Sequence, residues 1–308
     1  MKIRSVALIG AGAVGSYFIH GLTDRPGIDF MLVAEGDRLV RLREGVRING
    51  RTYLPPVRTP QEAGAPDLIL IAVKYPGLSD AVRMISEMIS EDTMVISLLN
   101  GIDSEEIIGN AVGPAHMLYA LMRIQAWRRD GEFLFDPEGT AGMFFGEIHS
   151  REKTERVLAV EELLDGTGIR CTFVPDIQGE IWNKYASNIC RNLPQAMLGV
   201  GYGAYADSTH LAWIRDAMDE EVHRIAAAKG IQIPAMSAKA AEAWQTVEKS
   251  ARFSTLQDLD AHRHTEVEMF LGVLLQMAEA LGIPTPACAF AYHFIKAMEE
   301  KNDGKFDY

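Results

Sequence analysis

The sequence has few cysteines, a deficit of basic residues and no long apolar run. Cys171, Cys190 and Cys288 are widely spaced, with no Cys-x-x-Cys pair or zinc-ligand pattern, so we expect reduced thiols and no metal site. Lys and Arg number 30 against 42 Asp and Glu, and the net charge of -12 offers no general attraction for nucleic acid or anionic membranes. No apolar stretch is long enough to span a bilayer, and glycines interrupt the N-terminal one, unlike a secretory signal. We therefore expect a cytoplasmic globular protein that binds neither nucleic acid nor membranes.

A glycine-rich turn near the N-terminus is the most informative feature that is present. A strand-like run at residues 5–9 leads directly into GAGAVG and then into a helix-like segment. In such a turn Gly10 permits a tight bend, Gly12 lets the backbone approach a pyrophosphate, and Gly15 lets the helix pack on the strand. Helix N–H groups then face the phosphates. The predicted cofactor-binding residues of this turn are Gly10, Ala11, Gly12, Ala13, Val14 and Gly15.

An acidic residue supports a dinucleotide site over an ordinary glycine turn. Glu35 follows the next apolar run, residues 30–34, and stands twenty residues after Gly15. This is close to the spacing at which a carboxylate reaches the ribose hydroxyls of a bound dinucleotide. We therefore add Glu35 to the predicted cofactor site.

The apolar pattern predicts an α/β fold with two domains. Strand-like runs at residues 68–73 and 94–99, each after a helix-compatible segment, indicate βαβ units and a parallel sheet. Hairpin or antiparallel strands between about 117 and 148, a helix near 152–164 and a strand near 169–174 are expected to complete that sheet. From residue 177 onward the periodicity is helical. We predict a Rossmann-type domain at 1–176 and an all-helical substrate domain at 177–308.

Two polar residues follow predicted strands directly. Lys74 comes after Val73, and Asn100 comes after Leu99 and is followed by Gly101. A lysine or Asn-Gly at a strand end commonly serves only solvation or a turn. Ligands of open parallel sheets, however, bind beyond the carboxyl ends of the strands. Lys74 and Asn100 are therefore candidate ligand-binding residues.

A polar stripe is predicted on the first helix of the second domain. Lys184, Asn188 and Asn192 lie four residues apart and, on an α-helix, fall within about 80° of one face. A solvated face is the ordinary interpretation of such a stripe. Asparagine is a poor helix former, however, so its recurrence favours contact with a small ligand.

A third polar constellation joins Ser254 to Glu266. On one straight helix the two residues would be roughly 18 Å apart, so both can touch one small substrate only if the chain breaks between them. The polar run at residues 260–264 is the expected break, with Thr265 or a neighbouring residue capping the helix that carries Glu266. A satisfied polar patch between helices is the alternative. The nearby histidines lack an HExxH spacing, so no metal site is predicted.

These motifs, in this order, resemble the ketopantoate reductase family almost from end to end. The resemblance implies nicotinamide-dependent reduction of a small 2-keto acid to a 2-hydroxy acid. It implies that Lys184 is the general acid and Glu266 its partner near the nascent hydroxyl. Lys74 and Asn100 would lie between the nicotinamide end of the cofactor and the substrate. The implied substrate ligands are Asn100, Asn188, Asn192 and Ser254.

Several positions depart from the family pattern and suggest a reshaped substrate pocket. Leu193 separates the second asparagine from Pro194, while Leu271 and Ala251 stand where relatives commonly have asparagine. The segment 122–127 is bulkier than the family's glycine-containing one. In this segment Arg123 is a candidate carboxylate partner, with a surface arginine as the alternative. Ketopantoate is therefore the first substrate to consider, and another 2-keto acid is the second.

Two other functions and the choice of cofactor stay open at this level. The alternatives are a two-domain dehydrogenase of another hydroxy-acid class and a non-catalytic nucleotide sensor; helical faces of the second domain are compatible with a homodimer. Family resemblance implies NADPH, bound through an arginine near the end of the second strand. Here that position reads Ala34-Glu35-Gly36, and a carboxylate repels a 2′-phosphate and favours NADH. Arg38 is three residues farther and could still reach a 2′-phosphate.

Overall fold

The computed structural model describes residues 2–235, 242, 244, 246–306 and 308. The chain divides into two compact units, Met1–Gln178 and Gly179–Tyr308. The division along the chain falls two residues after the boundary that the sequence predicts at residue 176. The α/β architecture predicted from the sequence is confirmed, with a largely parallel sheet in the first unit and helices in the second.

The first unit alternates strands and helices. Its strands are β1 (Ser5–Ile9), β2 (Asp29–Val33), β3 (Val46–Ile48), β4 (Arg51–Tyr53), β5 (Val57–Arg58), β6 (Leu68–Ile71), β7 (Met94–Ser97), β8 (Met117–Arg123), β9 (Ala126–Arg129), β10 (Glu132–Phe135), β11 (Gly142–Gly146) and β12 (Cys171–Phe173). Its helices are α1 (Ala13–Leu22), α2 (Gly36–Arg43), α3 (Pro60–Ala63), α4 (Leu78–Ser86), α5 (Ser104–Val112) and α6 (Glu155–Leu164).

The main sheet has the strand order β12-β11-β8-β7-β6-β1-β2-β5. Its central strands are largely apolar because both faces of the sheet are covered. Val6 and Leu8 of β1 belong to one core with Tyr17 of α1. Ala7 and Ile9 face the other core, which α4 and α5 help to form. This alternation fixes the register of β1.

The end of the sheet differs in part from the sequence-based expectation. β11 pairs antiparallel with β8, and β12 pairs parallel with β11, so these strands complete the sheet as predicted. The hairpin β9–β10 does not join it, because β10 pairs with β3 in a separate sheet of order β4-β3-β10-β9. The β3–β4 hairpin was overlooked, although Asn49-Gly50 is a strong hairpin signal and both residues have positive φ. The Asn49 side chain also bonds the backbone of Phe135 on β10.

In the described residues of the second unit there are helices and no strand. The helices are α7 (Ile177–Ser187), which crosses the unit boundary, α8 (Leu193–Leu198), α9 (Ala204–Asp207), α10 (Thr209–Ala228), α11 (Ser254–Asp260), α12 (Val273–Leu281) and α13 (Pro286–Asn302). Two π-helical segments, Asn188–Asn192 and Glu268–Gly272, precede α8 and α12. No helix in the described part of the chain has the length and apolar character needed to cross a membrane.

Candidate active site

The predicted cofactor residues of the first unit lie at one edge of the main sheet. Strands β2, β1, β6 and β7 are neighbours and run parallel, so their carboxyl ends meet at this edge. The glycine turn follows β1, Glu35 follows β2, Lys74 follows β6, and Asn100 follows β7. Lys74 is exposed and Asn100 is half-buried. The topology therefore groups residues that are far apart in the sequence.

The glycine turn has the geometry that a pyrophosphate requires. Gly10 has φ +109°, and a Cβ there would lie 2.4 Å from the carbonyl oxygen of Ala72. A Cβ on Gly15 would lie 2.0 Å from the carbonyl oxygen of Gly10, so both positions must be glycine for packing. At Gly12, by contrast, a Cβ would come no closer than 4.0 Å to Ala72. Gly12 is also the N-cap of α1, so open space lies where helix N–H groups can bind phosphate oxygens.

Glu35 is paired with a distant arginine. It is the N-cap of α2, and its carboxylate forms an ion pair with the Arg83 guanidinium of α4. Arg83 also contacts Glu87, with 3.2 Å between Nη1 and Oε1. The sequence contains no local signal for this pair, because Glu35 and Arg83 are 48 residues apart. The Arg83 guanidinium therefore partly neutralises the Glu35 carboxylate.

Buried acidic groups support the loops that carry Lys74 and Asn100. The Tyr75 hydroxyl donates to Asp103, which ties the loop after β6 to the loop after β7. Burial raises the pKa of Asp103 above its ordinary value. Burial also raises the pKa of Glu105 to about 7, despite a hydrogen bond donated by Ser104. None of these residues was predicted, because their role depends on the packing of α5 against the sheet.

The polar stripe of the second unit is not carried by one regular α-helix. α7 ends at Ser187, and a π-helical segment holds Asn188 and Asn192. A π turn holds more residues than an α turn, so residues four apart within it still lie close to one another on the helix surface. The two asparagines accordingly meet, with 3.3 Å between Asn192 Nδ2 and Asn188 Oδ1. Asn192 is buried and Lys184 half-buried, which departs from a simple solvated face.

A buried glutamine joins this helix to the segment that leads into α11. Gln195 is fully buried on α8. Its Nε2 donates to the Ala251 carbonyl at 2.8 Å, and its Oε1 accepts from the Phe253 N–H at 2.9 Å. Ser254, the exposed first residue of α11, follows at once. Gln195 thus fixes the backbone that positions Ser254, and only the fold reveals this role.

The chain break expected between Ser254 and Glu266 is present. α11 ends at Asp260, and His262 has a positive φ of 51° in the turn that follows. Thr265 donates from its N–H and its hydroxyl to the buried Glu299 carboxylate, at 2.7 and 2.6 Å. Its hydroxyl also accepts from the Val267 N–H at 3.2 Å, in the manner of a helix cap. Glu266 is half-buried and lies in the turn that the hydrogen bonds of Thr265 stabilise.

Tyr185 connects α7 to the second π-helical segment. Its side chain is almost fully buried, and its hydroxyl donates to the Phe270 carbonyl. The segment with Asn188 and Asn192 contacts both α11 and the segment that follows Glu266. The second unit therefore brings together elements that carry Lys184, the two asparagines, Ser254 and Glu266.

The substitution Tyr185→Phe tests this connection. The variant removes the hydroxyl that donates to the Phe270 carbonyl, and such a hydrogen bond contributes about 0.5–1.5 kcal/mol to stability. We expect the free energy of unfolding to fall by this amount in urea or thermal unfolding. Tyr292→Phe is the matched control, because it removes a hydroxyl that bonds Glu268 at 3.0 Å near the surface. Equal losses in both variants would contradict a specific role for Tyr185.

Residues that depart from the family pattern occupy definite places. The Arg123 guanidinium at the end of β8 lies over the Phe144 ring, with 5.4 Å to the centroid. Leu271 is fully buried in the second π-helical segment. Leu193 directly follows the first π-helical segment, whose wider turn accommodates an additional residue before Pro194.

Across the part of the chain that the structure describes, no group of three His, Cys, Asp or Glu side chains could hold a metal.

Two family models match most of the chain. The model described as ketopantoate reductase PanE/ApbA matches residues 6–149, and the model of its C-terminal part matches residues 176–299. A 2-dehydropantoate 2-reductase of Archaeoglobus fulgidus is 29% identical over 302 residues, covering 97% of this chain and 99% of the relative.

Solved structures show the same fold. A PanE/ApbA family ketopantoate reductase from Ralstonia eutropha JMP134 has a TM-score of 0.79 and 22% identity, covering 97% of this chain and 100% of its own. A D-mandelate dehydrogenase solved with NADH and anilino(oxo)acetate has a TM-score of 0.80 and 22% identity, covering 97% and 99%.

Proposed function

The chain belongs to the ketopantoate reductase family and is an NAD(P)-dependent reductase, and from this we propose that it reduces a small 2-keto acid to the 2-hydroxy acid, with ketopantoate as the first candidate. One observation carries the proposal. Within one unit, the helix with Lys184 continues into the Asn188–Asn192 segment, which contacts α11 and the segment after Glu266. A proton donor, amide groups, a hydroxyl and a carboxylate are the groups that reduction of a keto acid requires.

The first unit supplies the proposed cofactor site. The N–H groups at the start of α1, beside Gly12, bind the pyrophosphate, and Glu35 accepts hydrogen bonds from the adenosine ribose. Ala11, Ala13, Val14 and Gly15 complete the turn. Lys74 and Asn100, at the ends of β6 and β7, would hold the nicotinamide end. When bound, the cofactor supplies the hydride that adds to the keto carbon.

The second unit supplies the proposed proton donor. As the keto oxygen gains negative charge, the Lys184 ammonium stabilises it and transfers a proton from Nζ to form the hydroxyl. Lys184 then regains a proton from water. Glu266 accepts a hydrogen bond from the new hydroxyl. The substrate carboxylate is held by donors from Asn188, Asn192 and Ser254, which orients the keto carbon.

A bulkier 2-keto acid is the second candidate substrate. Leu193, Leu271 and Ala251 replace the family's usual pattern with apolar groups; Leu193 and Leu271 are fully buried, so they would reshape the pocket through the packing around it. Apolar surroundings favour a substrate with an apolar side chain over one with several hydroxyls. The D-mandelate dehydrogenase with this fold also encourages a test of aryl-substituted substrates.

Initial rates of NADPH and NADH oxidation test the proposal. The substrates are ketopantoate, pyruvate as the small comparison and phenylglyoxylate as the bulky one. We expect turnover of at least one 2-keto acid with a branched or aryl side chain, exceeding that of pyruvate. Tight nucleotide binding without turnover of any of the three would contradict the proposal and favour a nucleotide sensor.

A further inference from the structure

We propose that Arg83, acting against Glu35, determines how well the cofactor site accepts a 2′-phosphate. The inference rests on the proposed function only in that the first unit binds a nicotinamide dinucleotide. It assigns a specificity-determining role to a residue on α4, which lies outside the glycine turn and outside the loop that follows β2.

The position of Glu35 places Arg83 at the adenosine ribose. A carboxylate at the end of the second strand of this fold reaches the ribose hydroxyls. Arg83 Nη2 is bonded to Glu35 Oε2, and Arg83 Nη1 lies 3.5 Å from Glu35 Oε1. The guanidinium is therefore next to the carboxylate that would contact the 2′-hydroxyl. A 2′-phosphate, which extends farther than a hydroxyl, would come within reach of it.

Arg83 is held in place and is also accessible. Glu87, the C-cap residue of α4, contacts Arg83 Nη1 at 3.2 Å and so also restrains the guanidinium. The Arg83 side chain is 52% exposed and the Glu35 side chain 36% exposed, so a ligand in solvent can reach both. An arginine binds phosphate through the same fork that binds a carboxylate.

The pair has opposite consequences for the two cofactors. With an unphosphorylated ribose, Glu35 accepts from the hydroxyls and retains Arg83 as its counter-ion. A 2′-phosphate must instead take Arg83 from Glu35 and lie beside a carboxylate that has lost its partner. Glu35 therefore disfavours the phosphorylated cofactor, while Arg83 provides the binding that remains. NADH is the favoured cofactor, and NADPH binds through Arg83.

Binding titrations without substrate test the assignment. The probes are 2′,5′-ADP and 5′-ADP, measured by calorimetry, followed by NADPH and NADH by fluorescence. A charge-assisted hydrogen bond contributes about 1.5–3 kcal/mol. Arg83→Ala should therefore raise the Kd for 2′,5′-ADP roughly tenfold or more. Binding of 5′-ADP should change less than about threefold. Glu35→Gln should lower the Kd for 2′,5′-ADP by a similar factor, because it removes the negative charge that competes with the phosphate for Arg83.

Two control variants distinguish Arg83 from other positive charges. Arg41 is exposed in the last turn of α2, at a distance from Glu35. Arg41→Ala removes one positive charge there and should leave the binding of both probes nearly unchanged. Arg38→Ala tests the alternative arginine in the first part of α2. The assignment is overturned if Arg83→Ala weakens the binding of both probes equally, or if it weakens the binding of neither probe. It is also overturned if Arg38→Ala alone produces the selective loss. Absence of keto-acid turnover would refute the proposed reaction without altering these binding results.

Discussion

Replacement of Lys184 by alanine is expected to lower kcat by about 10²–10⁴, the range that general acid catalysis contributes. Without the ammonium, the negative charge on the keto oxygen loses both its stabilising partner and its proton source. Lys184 is half-buried on α7, so its removal leaves no large cavity in the core. We therefore expect cofactor binding and the unfolding midpoint to stay close to wild type. Single-turnover measurements with the preferred 2-keto acid provide the rate.

Lys184→Arg is the matched control for this prediction. Arginine keeps the positive charge, but its pKa is too high for it to donate a proton effectively. Its kcat should therefore lie between those of the alanine variant and wild type. A kcat within about threefold of wild type for Lys184→Ala would remove Lys184 from the mechanism. A large fall in the unfolding midpoint would instead indicate a structural role.

The second large effect is expected for Gly12→Ala. The added methyl group would meet open space in the free protein, because its nearest heavy atom is 4.0 Å away. It would occupy the region that a pyrophosphate must approach, where only a glycine permits close contact. We expect the Kd for NADH and NADPH to rise by about tenfold or more, which corresponds to at least about 1.4 kcal/mol. Fluorescence titration measures this directly.

Gly15→Ala separates cofactor binding from folding. Its Cβ would lie 2.0 Å from the Gly10 carbonyl oxygen, so the strand and helix must move apart. Gly15→Ala should therefore lower the unfolding midpoint, whereas Gly12→Ala should change it little. Unchanged nucleotide binding in a folded Gly12→Ala variant would contradict the pyrophosphate site.

Local patterns explain how much of this fold the sequence could predict. The buried strands β1, β6 and β7 are largely apolar, and each is followed by a polar or glycine-containing loop. Their order in the chain is enough to place Gly12, Lys74 and Asn100 at one sheet edge. The β3–β4 hairpin also has a local signal in Asn49-Gly50, so it could have been predicted.

Other features depend on contacts between distant segments. Gln195 bonds backbone groups 56 and 58 residues away, and Tyr185 reaches a carbonyl 85 residues away. The π-helical segment at Asn188–Asn192 is likewise set by packing, since the helical periodicity of the sequence does not reveal a wider turn. The Glu35–Arg83 pair changes the electrostatic argument for NADH most directly. The sequence shows the Glu35 carboxylate but not the Arg83 guanidinium beside it.

Isotope transfer into the product tests the central claim most directly. The purified protein would be incubated with NADH or NADPH that carries deuterium at both C4 positions and with ketopantoate or phenylglyoxylate, and the product would be analysed by mass spectrometry. Direct hydride transfer predicts a 2-hydroxy acid that carries one deuterium at C2, formed in step with cofactor oxidation. Recovery of unreduced keto acid, or of hydroxy acid without deuterium, would contradict the proposed reaction.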